Sequence, residues 1–223
     1  MTTQTSDLLA AAAPRTADVV RGIADDQFDL PTPCRDYVVR DLLNHLFEVV
    51  VNFQELAVKR PVEWAEKPDH LGDGWRDRFE AETGRLVAAW SDPSTLEGVS
   101  PGMGMPQTVI GGMALLDLTV HGWDLAVATG QPYQPAPEAV AELHGLVEQL
   151  GPTARKMGVF ADPLPTPTPT PDLAPTPDLA HLLTQTGRPS TTAATAAGDG
   201  STSVGRASRP CASGRCSTSR PTR

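Results

Sequence analysis

The chain has 223 residues and a formal net charge of −9 at pH 7. The charge is spread unevenly, because residues 1–187 hold 12 basic and 26 acidic side chains, whereas residues 188–223 hold six Arg and one Asp. The acidic body argues against nucleic acid or an anionic membrane as a partner, and with only one of the three cysteines it has no disulfide framework.

The sequence shows no sign of membrane insertion or secretion. No run of residues approaches the ~20 consecutive apolar residues of a membrane-spanning helix. The N-terminus lacks the basic start and the long apolar run of a secretory signal. We therefore expect a cytoplasmic protein with no membrane partner.

The first half of the chain is predicted to form three helices. Residues 5–23 have apolar side chains at roughly helical spacing. The loop 29–36 contains two prolines, and Asp36 is the predicted cap of a second helix that runs to about Ala57. A polar, Trp-containing loop then leads to a third helix, Gly74–Trp90.

The second half begins with a Gly- and Pro-rich stretch, 96–104, which is predicted to be a short extended hairpin or a loop. A fourth helix, Pro106–Thr129, starts with Pro and stops before Gly, the usual polarity of these signals. A fifth helix is predicted over Ala136–Leu150, and a short last one over Asp178–Thr186. Between them lie Pro-Thr repeats, 163–177, which favour a stiff extended linker.

These elements predict an all-α protein: a four-helix bundle with an additional helix, then a Pro-rich linker and a disordered tail. The expected domains are a bundle over 1–162, a Pro/Thr-rich linker with a short terminal helix over 163–189, and a tail over 190–223. The tail has no aromatic residue, so it cannot bury enough apolar area to become ordered. Its Ala/Gly/Pro/Arg/Ser/Thr composition also suggests the hypothesis of an out-of-frame extension.

Two of the five histidines lie where a core aliphatic residue is expected. His45 follows Leu42 by three residues and precedes Val49 by four, so it lies on the inward stripe of the second helix. His121 comes four residues after Asp117 in the fourth helix, on the side that apolar residues mark as inward. Because residues four apart share a helix face, Asp117 and His121 can converge on one ion together with His45.

Neutral imidazoles and a carboxylate suit Zn²⁺ and similar divalent ions, and a bundle can bring such groups together from facing helices. Three protein ligands leave one position open for water or a substrate atom, as in a catalytic site. Asp124, one turn past His121, can accept the second ring N–H of that histidine. It is also a candidate fourth ligand, a candidate solvated residue, and the least weak candidate for a catalytic acid or base.

Structural interpretations of the same residues remain open. A single histidine on an apolar face is more often a hydrogen-bonded core residue than a ligand, and in a metal-free protein His45 and Asp117 would pair by a hydrogen bond. Trp64 lies in a loop that can cover the mouth of the site or simply pack against it. The other histidines are expected in a loop or on exposed faces: His70, His144 and His181.

Several segments are similar to a known family: Thr32-Pro33-Cys34, residues 39–46 (VRDLLNHL) and residues 121–130 (HGWDLAVATG). They resemble the actinobacterial DinB-like group and, more closely, the metal-binding N-terminal domain of the mycothiol-dependent maleylpyruvate isomerases. Residues 182–189 (LLTQTGRP) are similar to the way many members end. The resemblance covers roughly residues 5–189.

The resemblance implies a four-helix bundle with one divalent metal ion, usually zinc, held by a His of the second helix and a carboxylate-x-x-x-His pair of a later one. These ligands correspond to His45, Asp117 and His121. The isomerase has Glu where this chain has Asp117, so the ion would lie closer to the helix or bind less tightly. The isomerase also has a C-terminal domain that contributes to its active site, and residues 151–223 are too short and too Pro-rich to replace it.

The leading functional hypothesis is a divalent-metal-binding enzyme of low-molecular-weight thiol chemistry, such as a thiol transferase or isomerase. The resemblance suggests mycothiol as the thiol, and the partners would be this small-molecule thiol and an electrophilic substrate. The alternative is a non-catalytic metal- or ligand-binding helical bundle. A homodimer formed through helix faces also stays open.

Overall fold

The computed structural model describes residues 4–65, 68–165 and 176–189. Within these ranges the protein is all-α, as the sequence predicts, with six α-helices and no β-strand. No described helix combines the length and the hydropathy that a membrane span requires. The helices are α1 (Thr5–Gly22), α2 (Val39–Ala57), α3 (Trp75–Ala89), α4 (Gln107–Thr129), α5 (Pro137–Lys156) and α6 (Pro177–Gln185).

Helices α1 to α4 form a packed bundle with α4 in the middle. Helix α4 packs against α1, α2 and α5, while α3 packs against α1 and α2. Every residue of α4 from Met113 to Ala126 is buried, as expected for a helix with apolar side chains all round. The close approach of α1 requires a glycine, because a Cβ on Gly122 would lie 2.7 Å from Oγ1 of Thr16 and 2.9 Å from the hydroxyl of Tyr133.

The inward faces predicted for the two helices that carry the histidines are confirmed. The predicted core residues of α2 from Leu42 onward and those of α4 are fully buried: Leu42, Leu46, Val49, Phe53, Ile110, Ala114, Leu118 and Leu125.

The start of α2 differs from the prediction, because Asp36 is not its cap. The helix begins at Val39, and the residue before it, Val38, is held extended by an isolated bridge to Pro31. The backbone N–H of Val38 lies 3.4 Å from Oδ2 of Asp41. The carboxylate of Asp41 thus accepts the N–H of the residue that precedes the helix, and the predicted cap is wrong.

Helix α5 is longer than predicted. It continues past Leu150 to Lys156 and includes Pro152. Arg155 and Lys156 in its last turn complement the negative end of the helix dipole. The N–H of Met157 donates to the carbonyl of Thr153 at 3.0 Å, which closes this turn.

The stretch 96–104 forms a tight loop rather than a pair of strands. An isolated antiparallel bridge joins Val99 to Pro106. Gly98 and Gly104 have φ values of 76° and 66°, which turn the chain on both sides of this bridge. The predicted hairpin is therefore reduced to a single bridge.

Helix α6 packs against α5. The hydroxyl of Thr176 accepts the N–H of Leu179 at 3.4 Å and caps the helix start, and the leucines of α6 are buried. Most of the predicted Pro-Thr repeats lie outside the described residues. The tail predicted over 190–223, with its disorder and its out-of-frame hypothesis, lies outside them too. The expected domain boundaries stay a prediction.

Candidate metal centre

Helices α2 and α4 bring His45, Asp117 and His121 together in the core. Each residue offers one ligand atom, and the three atoms lie within 4.8 Å of one another. The residues are 6%, 1% and 0% exposed, respectively. Their convergence follows from the helical period, because His45 lies on the buried face of α2 while Asp117 and His121 are one turn apart on α4. The group has the composition of a three-ligand site for a divalent metal ion.

Aromatic rings surround His45. Its ring is stacked with that of Tyr37, at a centroid distance of 5.6 Å, and lies 6.3 Å from the ring of Trp64. The ring of His121 meets it edge-on at 5.2 Å. Trp64 thus lies beside the least buried of the three candidate ligands, where a residue at the mouth of the site is expected.

Polar side chains of α2 hold the loop that carries Trp64. The N–H of Ala65 donates to Oε1 of Glu48 at 2.8 Å, and the N–H of His70 donates to Oδ1 of Asn44 at 2.6 Å. Asn44 and Glu48 are four residues apart and share one face of the helix. These two hydrogen bonds, one at the residue directly after Trp64 and one further along the loop, keep this loop next to α2.

The Nδ1 side of His121 faces a buried ion pair. Nδ1 lies 3.0 Å from Oδ2 of Asp124, and Nε of Arg188 lies 2.9 Å from each oxygen of that carboxylate. An ionised carboxylate can only accept hydrogen bonds, so the 3.0 Å contact implies that Nδ1 carries the proton of the neutral ring. The lone pair is then on Nε2, the nitrogen closer to Asp117.

The Nε2 side of His121 is unsatisfied. Among the described residues, neither Nε2 nor either carboxylate oxygen of Asp117 has a hydrogen-bond partner. Oδ1 of Asp117 lies 3.6 Å from Nε2, so an ionised Asp117 and the lone pair of Nε2 would be two buried acceptors that face each other. The hydrogen bond between His45 and Asp117 that a metal-free protein was expected to form is absent.

Burial dominates the protonation of both residues. It raises the pKa of Asp117 to about 8, although the positive charge of Arg188 acts in the opposite direction. Burial also lowers the pKa of His121, against the smaller effect of its hydrogen bond with Asp124. At neutral pH the imidazole is therefore uncharged, and Asp117 needs either a proton or a cation.

A second group of potential ligands shares two of these residues. It consists of Cys34, which is 2% exposed, with His121 and Asp124. The guanidinium of Arg188 already neutralises Asp124, and Nδ1 of His121 is occupied by the same carboxylate. A cation here would have to displace Arg188. In the group of His45, Asp117 and His121, no described guanidinium contacts the carboxylate of Asp117, so this group is the better candidate.

The sequence interpretation did not single out Arg188. It treated this residue as the start of a basic segment, yet Arg188 is 4% exposed. Gly187, with a φ of 79°, turns the chain after α6, and the N–H of Arg188 donates to the carbonyl of Leu183 at 2.9 Å. The signal that could have found Arg188 is its place in the family-like segment 182–189.

The remaining histidines belong to neither candidate group. His181 is exposed, as expected, and its ring lies 5.4 Å from that of the half-buried His144. His70 lies in a loop, as expected, where it is half-buried and its ring is stacked on Phe47 at 5.3 Å. Burial lowers the pKa of His70.

Fold and site together define the class of this protein: a helical bundle with a buried His/Asp/His group that can hold a metal ion. The chain belongs to the mycothiol maleylpyruvate isomerase N-terminal domain family, whose model matches residues 9–126. The matched range includes His45, Asp117 and His121 but ends before Arg188.

Two proteins of Mycobacterium tuberculosis, from strains CDC 1551 and H37Rv, are similar to the chain. Each is 32% identical over 176 residues, which cover 77% of this chain and 92% of the relative. Both are described as uncharacterized proteins, so neither names an activity. No solved structure matches the chain significantly.

Proposed function

We propose that the protein binds one divalent metal ion, zinc or a similar ion, through His45, Asp117 and His121, and that it is an enzyme of low-molecular-weight thiol chemistry. The observation that carries the proposal is the pair of buried ligand atoms without a hydrogen-bond partner among the described residues, Nε2 of His121 and Oδ1 of Asp117, 3.6 Å apart. Membership of a family named after a mycothiol-dependent isomerase supports the choice of thiol.

The charges of the candidate site favour one more metal ligand, with a single negative charge. His45 and His121 are neutral donors, Asp117 contributes one negative charge, and Arg188 already balances Asp124. With a divalent ion the site would have one net positive charge, and a single thiolate would neutralise it. Neutrality is strongly favoured for buried groups. A bound divalent ion supplies the acidity that deprotonates a coordinating thiol at neutral pH.

The surroundings of His45 support a small electrophile with a flat apolar part. Tyr37 and Trp64 are half-buried and stand beside the His45 ring. Their faces can hold a planar group by stacking, and their bulk keeps bulk water away from a sulfur nucleophile. Mycothiol and an electrophile of this kind are therefore the proposed partners.

Metal analysis of the purified protein tests the first half of the proposal. We expect about one zinc or similar ion per chain after loading and desalting. His45→Ala should remove stoichiometric binding, whereas His144→Ala, at a histidine outside both candidate groups, should retain it. Equal binding by wild type and His45→Ala would refute the ligand assignment.

Thiol-dependent turnover tests the second half. The metal-loaded protein is mixed with mycothiol and a chloronitrobenzene. In the expected reaction the sulfur forms a C–S bond, the C–Cl bond breaks with its electron pair leaving as chloride, and the thiol proton passes to solvent. We expect a rate above that of the metal-free protein. No such rate with a fully loaded protein would count against the enzyme hypothesis.

A second candidate function is a non-catalytic metal- or ligand-binding bundle. The observation that favours it is the burial of the ligand group, since Asp117 and His121 are at most 1% exposed. This function predicts stoichiometric metal without any thiol-dependent rate. The two experiments above therefore separate the two functions.

A further inference from the structure

The chain brings an arginine from its C-terminal part into the candidate site. Arg188 follows α6, lies 67 positions after His121 and is buried. Its Nε is 2.9 Å from both oxygens of Asp124, and its Nη2 is 3.5 Å from Nδ1 of His121. We propose that Arg188 is a positioning residue, which acts through Asp124 to set the ring orientation and the tautomer of His121.

Two contacts make opposite demands on Nδ1 of His121. The carboxylate of Asp124, at 3.0 Å, can only accept a hydrogen bond, so it requires a proton on Nδ1. Nη2 of Arg188, at 3.5 Å, can only donate, so it would require a lone pair there. The shorter, charge-assisted contact is the stronger. Arg188 therefore acts by holding the carboxylate in place and does not bond Nδ1 directly.

The tautomer decides what His121 can do on its other side. With the proton on Nδ1, the lone pair of Nε2 lies near Asp117 and is available to a cation. With the proton on Nε2, the ring would donate to Asp117 and could not act as a ligand. Arg188 and Asp124 thus select the ring form that a metal ion needs.

A gain in folding stability does not explain the buried ion pair of Arg188 and Asp124. Removing a guanidinium and a carboxylate from water costs more free energy than packing apolar side chains of the same volume. The ion pair has a role if Arg188 fixes the orientation of the Asp124 carboxylate. A guanidinium orients a carboxylate better than an ammonium does.

The inference rests on the proposed metal site for its second measurement only. The first measurement is the ¹⁵N spectrum of the imidazole nitrogens in the metal-free protein, with the His121 signals assigned by their loss in His121→Gln. We expect wild type to have the proton on Nδ1. Arg188→Gln should give a mixture of tautomers, and should weaken zinc binding by about 10- to 100-fold, the usual effect of losing a residue that orients a ligand.

Arg155→Gln is the matched control. Arg155 also joins the C-terminal segment to the rest of the protein, because its Nη1 donates to the carbonyl of Gln185 at 3.2 Å. It should leave the tautomer and the zinc affinity at their wild-type values. If both variants weaken zinc binding equally, or if Arg188→Gln keeps the wild-type tautomer, the positioning role is refuted.

Arg188→Lys is used if Arg188→Gln does not fold. It keeps the positive charge but holds the carboxylate less firmly, so we expect partial loss of the tautomer preference. A wild-type spectrum for this variant would refute the proposal. If wild type binds no zinc at all, the proposed function fails, while the spectrum of the metal-free protein still decides the role of Arg188.

Discussion

His121 lies between two buried aspartates of α4 that differ in whether their carboxylates have hydrogen-bond partners. Asp124, three residues later, contacts Nδ1 and the guanidinium of Arg188. Asp117, four residues earlier, has no hydrogen-bond partner among the described residues. Their exposed fractions are 0% and 1%, so burial does not distinguish them. The difference is that, within the part of the chain that the structure describes, only Asp124 has a basic side chain as its counter-ion.

A buried carboxylate needs a positive partner or a proton. The C-terminal segment provides the partner of Asp124, which is Arg188. Asp117 has to take a proton or a cation from solution, which is the property expected of a binding site. The structural charge pair thus lies on the Nδ1 side of the His121 ring, and the candidate ligand group lies on its Nε2 side.

The largest expected effect is the loss of folding stability in Asp124→Asn. This substitution leaves the buried guanidinium of Arg188 without its carboxylate, which should lower the free energy of unfolding by about 3–5 kcal/mol. Asp117→Asn should instead raise it at pH 7, because the folded wild type keeps Asp117 protonated there while its unfolded chain gains free energy by ionising it, and Asn does neither. Urea unfolding of the chelator-treated variants measures both values. Equal losses would abolish the distinction between the two aspartates.

The next largest effect is on zinc affinity, for which Asp117 should matter more than Asp124. Asp117→Asn removes a proposed ligand and should weaken zinc binding by more than about 100-fold, the upper range for residues that only orient a ligand. Competition with a chelator of known affinity gives the dissociation constant. Unchanged affinity in this variant would show that Asp117 is not a ligand.

A substitution that disturbs the packing beside the candidate site should lower the folding stability and leave the metal affinity unchanged. Gly122→Ala places a methyl group against Thr16 and Tyr133, which should cost about 1–3 kcal/mol of unfolding free energy. Zinc affinity should stay near wild type, since neither aspartate is touched. Gly84→Ala is the control, because its added Cβ meets nothing within 4 Å, and thermal unfolding of both variants checks the contrast.

The smallest effect, taken over a single pH unit, is a pH dependence that belongs to Asp117. Its pKa of about 8 in the folded protein lies above the unfolded value near 3.8. Between these two values the folded state holds a proton that the unfolded state has lost. The stability of the metal-free protein should therefore fall as pH rises from about 4 to about 8, by at most about 1.4 kcal/mol per pH unit.

Zinc reverses this dependence. Binding must expel the proton from Asp117, so zinc affinity should rise with pH by up to about tenfold per unit until the pKa is passed. Asp117→Asn should flatten both profiles. Calorimetric titrations in buffers with different ionisation enthalpies count the released proton, and a count of zero at pH 7 would contradict the raised pKa of Asp117.

The helical period carried much of the correct prediction. His45 among Leu42 and Val49, and His121 four residues after Asp117, already placed the three residues inward, because a 3.6-residue repeat determines which side chains share a face. The ends of the helices were harder to predict from the sequence. Asp36 has the right residue type for a cap, but the bridge between Pro31 and Val38 starts α2 later.

The sequence by itself determined the all-α class and the inward faces of the two helices on which His45, Asp117 and His121 lie, since these depend on local periodicity. Only the tertiary structure decided which aspartate is paired. Asp117 and Asp124 are equivalent as local patterns, each within one turn of His121 and each on a helix buried all round. Their difference comes from Arg188, 64 positions beyond Asp124, and no local pattern reports a contact between residues so far apart in the chain.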